Sequence, residues 1–407
     1  MANELNLVNW ARNKNITSNI HTEELSPFTQ NEVEHVLAFQ KTHPLYTDTP
    51  LRSLSALAEL LNVASIHVKD ESYRFGLNAF KVMGGIYAIA KYLAAELGRD
   101  VNDLSFEQLQ SAEVRKQLGD ITFITATDGN HGKGVAWAAR ELGQKSVVYM
   151  PKGASPVRLE ALRAEGAKAE ITDVNYDATV RICADLAIKN GWVMVQDTAW
   201  EGYDEIPLWI MQGYSTIAHE MIESFEEQQV EPPTHIFLQA GVGSFAAGIA
   251  AYYKMRYEDR SPKIIVVEPE QADCYYRSFA SDSGEMKLVS GDLDTIMAGL
   301  ACGEPNIRAF RILTLYAEGA FSCDDRISAL GMRVLGNPLA EDCRIISGES
   351  GAAPLGLLYY IQTSDNALAS AAIGLNKDSR IAVISTEGDT DPAHYREVVW
   401  DGRYPLD

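Results

Sequence analysis

From Ile121 onward the chain alternates strand-like and helix-like segments without a break, and this restricts its fold more than any other feature. Ile121–Ala126 is an apolar run, followed by helical spacing over Gly134–Leu142. Ser146–Met150, Pro156–Glu165, Ala169–Thr172, Tyr176–Asn190 and Val193–Gln196 continue the pattern, with Val180, Cys183, Ala184 and Ala187 on one helical face. A second series follows: helical Leu208–Glu226, strand-like His235–Gln239, helical Phe245–Arg256, and strand-like Ile264–Val267 and Ile381–Ser385. Strands that alternate with helices pair in parallel, and such sheets are covered on both faces, so their strands read as nearly continuous apolar runs. The expected fold is α/β, two lobes with mostly parallel twisted sheets covered by helices. A small α/β lobe spans 86–200, and a large lobe combines 1–85 with 201–407. The stretch up to Asn62 reads as an arm with helices over Asn31–Lys41 and Ser53–Leu61.

A chain of 407 residues has room for two such lobes. Its 56 acidic residues outnumber 35 basic ones, for a net charge of −21. That excess argues against nucleic acid or an anionic membrane as partner, because both need basic patches. No apolar run is long enough to span a bilayer, and MANELNLVNWARNKN lacks the apolar core of a secretory signal, so the cytosol is the expected location. Five cysteines form no CxxC pair and eight histidines no HExxH, which leaves a metal site unsupported. Cys274 and Cys302 flank a Ser/Asp/Gly-rich loop, where a regulatory disulfide is the alternative to two reduced thiols.

In open α/β folds ligands bind at the carboxyl ends of strands. The unusual residues cluster there: Thr127-Asp128-Gly129-Asn130-His131-Gly132, Asp197-Thr198, Gln239-Ala240-Gly241-Val242-Gly243-Ser244, and Ser385-Thr386-Glu387-Gly388. QAGVGS opens a helix, so its amides and the Ser244 hydroxyl can cradle a phosphate; a tight turn with nothing bound is the plain alternative. The same glycines, with Ala246 and Glu268, also fit a loose dinucleotide fingerprint and raise a rival, an NAD-dependent oxidoreductase. That rival leaves TDGNHG and the stretch KDESYRFGLNAFK, residues 69–81, without roles. TDGNHG by itself could be no more than a capped turn. Lys81 ends KDESYRFGLNAFK among Ala79, Phe80, Val82, Met83, Gly84 and Gly85. Most lysines near a helix start are solvated, but one buried among such neighbours has a depressed pKa and can form a Schiff base.

A lysine in N-x-F-K context, a G-N-H loop, a glycine phosphate loop and a Ser/Thr after a late strand occur in that order. This order resembles the fold type II pyridoxal-phosphate enzymes, the tryptophan-synthase-β and threonine-dehydratase group. Within that group, KDESYRFGLNAFK, TDGNHGKGVAWAA, QDTAWEGY, QAGVGS, MAGLACGEP, ISGESGA and STEGDTD are most similar to the diaminopropionate ammonia-lyase family, over about residues 44–400. The resemblance implies pyridoxal 5'-phosphate held by Lys81 as a Schiff base, by Gly241, Val242, Gly243 and Ser244 at its phosphate, by Asn130 at its phenolic oxygen, and by Thr386 at its ring nitrogen. It implies α,β-elimination of 2,3-diaminopropionate to pyruvate and two ammonia, with a serine or threonine dehydratase as the nearer alternative. Relatives that eliminate water tend to carry a small residue where Asp128 stands, and a cationic β-amine calls for a carboxylate. Catalytic roles fall to Lys81 for the L-isomer and Asp128 for the D-isomer, with Asp197 binding the β-ammonium or assisting Asp128. Thr127, Asp128, Gly129 and His131 are expected at the substrate. Asp70, Glu71 and Arg74 are expected to be scaffold or interface residues, and Asn78 to order its turn. Glu349 and Ser350 are candidates for the far wall of the pocket, or simply a turn between helices. A homodimer acting on a small amino acid is the expected assembly.

Overall fold

The computed structural model describes residues 7–364 and 367–406. Of the large lobe expected over 1–85 and 201–407, residues 1–6, 365, 366 and 407 lie outside the described residues. Among the described residues eleven strands form two sheets. The larger sheet runs, in spatial order, β1 (Val8–Arg12), β10 (Ala317–Cys323), β9 (Lys263–Pro269), β8 (His235–Gln239), β11 (Arg380–Ser385), β3 (Ser65–Asp70) and β2 (Leu51–Ser53). Its inner pairs are parallel; β1 and β2 close the edges antiparallel. The smaller sheet, β6 (Lys168–Ile171), β5 (Lys145–Met150), β4 (Thr122–Ala126) and β7 (Val193–Met194), is wholly parallel.

The β-branched run of β9 is fully buried, as a strand covered on both faces requires. Several boundaries differ from expectation. Ser53 ends β2, and the helix begins only at Ser55. β7 stops at Met194, and the helix after β4 starts at Asn130 rather than Gly134, so half of TDGNHG is its first turn. The N-terminal arm contains a strand, β1, paired with β10 three hundred residues away.

Helix Val82–Glu96, which follows Lys81, is wedged between helices Asn130–Glu141 and Glu205–Glu227. Glycines make the wedge possible. A Cβ on Gly134 would stand 2.9 Å from the Val82 backbone, and one on Gly213 would stand 2.3 Å from the Met83 carbonyl. The helices therefore meet backbone to backbone, and Lys81 is carried against the loop that holds Asp128 and Asn130.

The stretch preceding Lys81 is anchored by a fully buried ion network. Lys69 Nζ lies 2.6 Å from Glu220, and Arg74 lies 2.8 Å from both Glu71 and Glu220. Thr49 Oγ1 donates to Glu71 at 2.6 Å. Glu71 and Arg74 are thus scaffold, tied to the same helix Glu205–Glu227 that receives the wedge. Asp70 accepts from the Ser72 amide and hydroxyl, holding the turn after β3. Asn78, at φ 61°, donates to Asp389 at 3.2 Å, and its carbonyl accepts from Gly388 N at 3.0 Å.

Candidate active site

The segments that follow β4, β7, β8 and β11 converge with the start of helix Val82–Glu96 on one cavity. Lys81, Asn130, Asp197, the Gly241–Ser244 loop and Thr386 all line it, together with Tyr214, Gln239, Gly299, Ser350 and Glu387. Phe80 N donates to Thr386 O at 3.0 Å, which places Lys81 beside the end of β11. The rings of Phe80, Tyr214 and Phe245 make an apolar wall, with centroids 4.8 and 4.6 Å apart from Phe80.

Lys81 Nζ lies 2.8 Å from Asp197 Oδ2, and both side chains are largely buried. Sequence reasoning expected a depressed lysine, and the structure corrects this. Burial does press the ammonium down, but Asp197, with Tyr214 and Asp128 behind it, outweighs burial and holds Lys81 above the usual lysine range. Burial likewise opposes ionisation of Asp197, yet Lys81 and His131 bring its carboxyl down to about 2. Asp128 has no ion-pair partner as close. Burial raises its carboxyl, against the pull of Lys81 and Arg158.

The Gly241–Ser244 loop lies at the N-terminus of helix Ser244–Tyr257. Gly243 has φ +91°, and a Cβ there would stand 1.9 Å from the Tyr275 hydroxyl, so only glycine fits. The Ser244 hydroxyl donates to the carbonyl of Asp197, and Asn306 Nδ2 bonds both Ser244 Oγ (2.8 Å) and that carbonyl (3.1 Å). The phosphate-type cradle and the Asp197 turn are therefore one hydrogen-bonded unit. Thr386 Oγ1 accepts from Gln239 Nε2 at 2.8 Å.

Thr127 and His131, expected at the substrate, do not line the cavity, because their side chains are turned to backbone groups. Thr127 Oγ1 accepts from the amides of Gly129 and Gly132, both at 2.9 Å, and caps the helix. His131 Nε2 pairs with Val195 O at 2.8 Å, and its Nδ1 lies 3.9 Å from Asp197. Their side chains shape the loop. Gly129, at φ +156°, packs against the Arg158 side chain.

Glu387 carried no role in the sequence reading. Its buried carboxylate accepts from Asn130 Nδ2 and, at 3.1 Å, from Ser350 N. A polar residue one position past Thr386, at the end of an apolar strand, was the available signal. Glu349 and Ser350 open helix Glu349–Thr363, so ISGESG is a helix start and not a turn between helices. A second, more polar cavity leads outward from Asp128 past Arg158, Glu349, Asp391 and His394. There Glu349 lies 3.6 Å from both Arg158 and His394; burial, then Glu387, push its carboxyl up to about 7 against Arg158.

The acid proposed for a dinucleotide ribose does not face a ligand. Glu268 is buried and accepts from the amides of Tyr275 (2.9 Å) and Tyr276 (2.8 Å). This removes the support for the oxidoreductase rival. Cys274 and Cys302 are free and buried, with Cys274 Sγ 3.1 Å from Gly303 O.

Comparison with known proteins agrees with this geometry. The family described as "Pyridoxal-phosphate dependent enzyme" matches residues 42–387. The chain is 51% identical over 387 residues to the diaminopropionate ammonia-lyase of Escherichia coli, covering 94% of this chain and 95% of that one. It is 50% identical over 381 residues to the Salmonella typhimurium enzyme of that name, covering 93% and 94%. A crystal structure of the Escherichia coli enzyme in complex with D-serine superposes with a TM-score of 0.92 at 47% identity, over 98% of both chains.

Proposed function

The chain belongs to the pyridoxal-phosphate-dependent enzymes and among them to the diaminopropionate ammonia-lyases, and from this premise we infer how its own residues carry the reaction. It is a carbon–nitrogen lyase that eliminates ammonia from 2,3-diaminopropionate to give pyruvate and a second ammonia. The observation that carries the residue assignment is the Lys81–Asp197 pair, 2.8 Å apart, in a cavity whose floor is a glycine cradle on a helix N-terminus.

The residues present fit the cofactor. A buried lysine amine, a cradle closed to any Cβ at Gly243, an apolar wall and polar ends at Asn130 and Thr386 match its aldehyde, phosphate, ring and ring substituents in turn. Lys81 would hold it covalently, Gly241, Val242, Gly243 and Ser244 its phosphate, Asn130 its phenolic oxygen and Thr386 its ring nitrogen. When bound, the cofactor supplies the electron sink for charge left at Cα.

Lys81 Nζ takes the α-proton of the L-isomer. Asp197 then stabilises that proton, since its ionised carboxylate is what raises Lys81. Asp128 Oδ takes the α-proton of the D-isomer; burial strengthens it as a base when it ionises. Thr127 and His131 hold the loop that presents Asp128 and Asn130. The large lobe, 1–85 with 201–407, carries most of the cofactor contacts, and 86–200 closes over them. A cytosolic homodimer accompanies the reading, with light scattering of the purified protein as the test of the dimer.

The deciding experiment is pyruvate release from separate samples of D- and L-2,3-diaminopropionate with pyridoxal phosphate supplied. Release from both is expected. Release from L alone would remove Asp128 as a D-face base, and no release from either would overturn the substrate.

A further inference from the structure

Among the described residues three polar groups at the cavity have no partner: the Tyr214 hydroxyl, Gln239 Oε1 and Ser350 Oγ, and of these Ser350 Oγ is the one that faces a carboxylate across a gap. Ser350 is 5% exposed, its hydroxyl lines the cofactor cavity, and Ser350 Oγ makes no hydrogen bond. A buried hydroxyl without a partner is unfavourable unless something else supplies one. The serine is nonetheless held in place, because Glu387 accepts from its amide at 3.1 Å and from Asn130 with the same carboxylate.

Ser350 faces Asp128 across a gap at Gly299. A Cβ on Gly299 would lie 3.0 Å from Ser350 Oγ and 3.7 Å from Asp128 Oδ2. The missing side chain leaves a small space lined by a hydroxyl oxygen on one side and a carboxylate oxygen on the other. The charges around it select the sign of its occupant. Asp128, Glu349 and Glu387 stand on one side of the balance, with Lys81, itself paired to Asp197, and Arg158 against them. The helix start at Ser350, which would favour an anion, already has the Glu387 carboxylate on its amide. Asp197, the other acid considered for this task, is committed to Lys81.

We propose that Ser350 Oγ and Asp128, across the gap at Gly299, form the seat of the substrate's β-ammonium group. The inference rests on the lyase reading and names the residues that select its substrate. The ammonium donates to both oxygens, which satisfies the orphaned hydroxyl and keeps Asp128 ionised while the diamine is bound. An amino acid with a β-substituent that donates no hydrogen bond leaves the seat unfilled.

The test compares 2,3-diaminopropionate with β-chloroalanine, whose β-substituent is neutral and has no hydrogen to donate, in holoenzyme carrying S350A and, separately, G299A. A hydrogen bond to a charged group corresponds to roughly ten- to a hundred-fold. In S350A, kcat/KM for the diamine should fall by about that factor more than kcat/KM for β-chloroalanine, with the visible absorbance of the bound cofactor unchanged. G299A, which fills the gap, should show the same preference. Equal losses for the two substrates, or no loss for the diamine in either variant, would overturn the seat. If the wild type releases pyruvate from β-chloroalanine but not from the diamine, the substrate reading itself fails, and the seat falls with it.

Discussion

At the residue scale, the site depends on two carboxylates whose surroundings push them in opposite directions. Asp197 is brought to about 2 by Lys81, so its stabilising contribution is complete above the ordinary value of 3.8 and is lost as pH falls through about 2. Lys81 is raised, so its contribution is complete below 10.5 and is lost only as pH rises through its higher folded value. The pair is therefore constant across neutral pH. In D197N burial acts on Lys81 against weaker neighbours alone, so its pKa falls, and the alkaline limb of kcat/KM should lie at lower pH than in the wild type. D128N should lose activity with both isomers, since the β-ammonium loses its carboxylate, but the D-isomer, which also loses its base, should fall by about 100-fold or more beyond the L-isomer. Parallel losses for the two isomers would refute the facial assignment. Borohydride treatment of the holoenzyme should fix the cofactor to Lys81, and K81A should retain no label after denaturation. Much of this was legible from residue types: Lys81, Asn130, Asp197, Gly241 to Ser244 and Thr386 meet in one cavity, and Asp128 lines the second cavity beside it. The state of Lys81 was not legible, because a neighbour 116 positions away reverses the effect of burial.

At the element scale, the helix behind Lys81 is placed by what its neighbours lack. G134A or G213A would force a methyl group into backbone atoms under 3 Å away, and overpacking of this kind costs about 1–3 kcal/mol. Urea titration should show that loss, accompanied by weaker cofactor binding as Lys81 shifts. E220A should cost more, roughly 3–5 kcal/mol, because it leaves Lys69 and Arg74 buried without their shared partner. Strands such as β8, β9 and β11 could be read directly, since burial on both faces writes itself as an unbroken apolar run. β1 and β10 could not. VNWAR and AEGAFSC carry no such run; β10 is a strand because it lies between β1 and β9, and β1 because β10 lies beside it. The early start of helix Asn130–Glu141 was hidden for a related reason: its first turn is specified by Thr127 and by close packing, and apolar periodicity begins only later.

At the scale of the whole molecule, contacts join the segments 130–158 and 349–391 beside both cavities: Asn130 to Glu387, Arg158 to Glu349, and Ser155 to Asp391 at 2.9 Å. Glu349, raised to about 7, keeps in the folded protein a proton that the unfolded chain releases near 4.5. Stability should therefore decline as pH rises from about 4.5 to 7, by roughly 3 kcal/mol from this group. E349Q, which has no proton to lose, should flatten that decline in thermal melts taken across the same range. KDESYRFGLNAFK, the signature that most identifies the chain, is also its least portable part. Its charges close on a glutamate in another helix, its turn closes on Asp389, and the helix it launches fits only where two distant glycines make way. Grafted as a cassette into another α/β scaffold, it would deliver a lysine with ordinary solution chemistry, because the environment that makes that lysine special is encoded elsewhere in the chain.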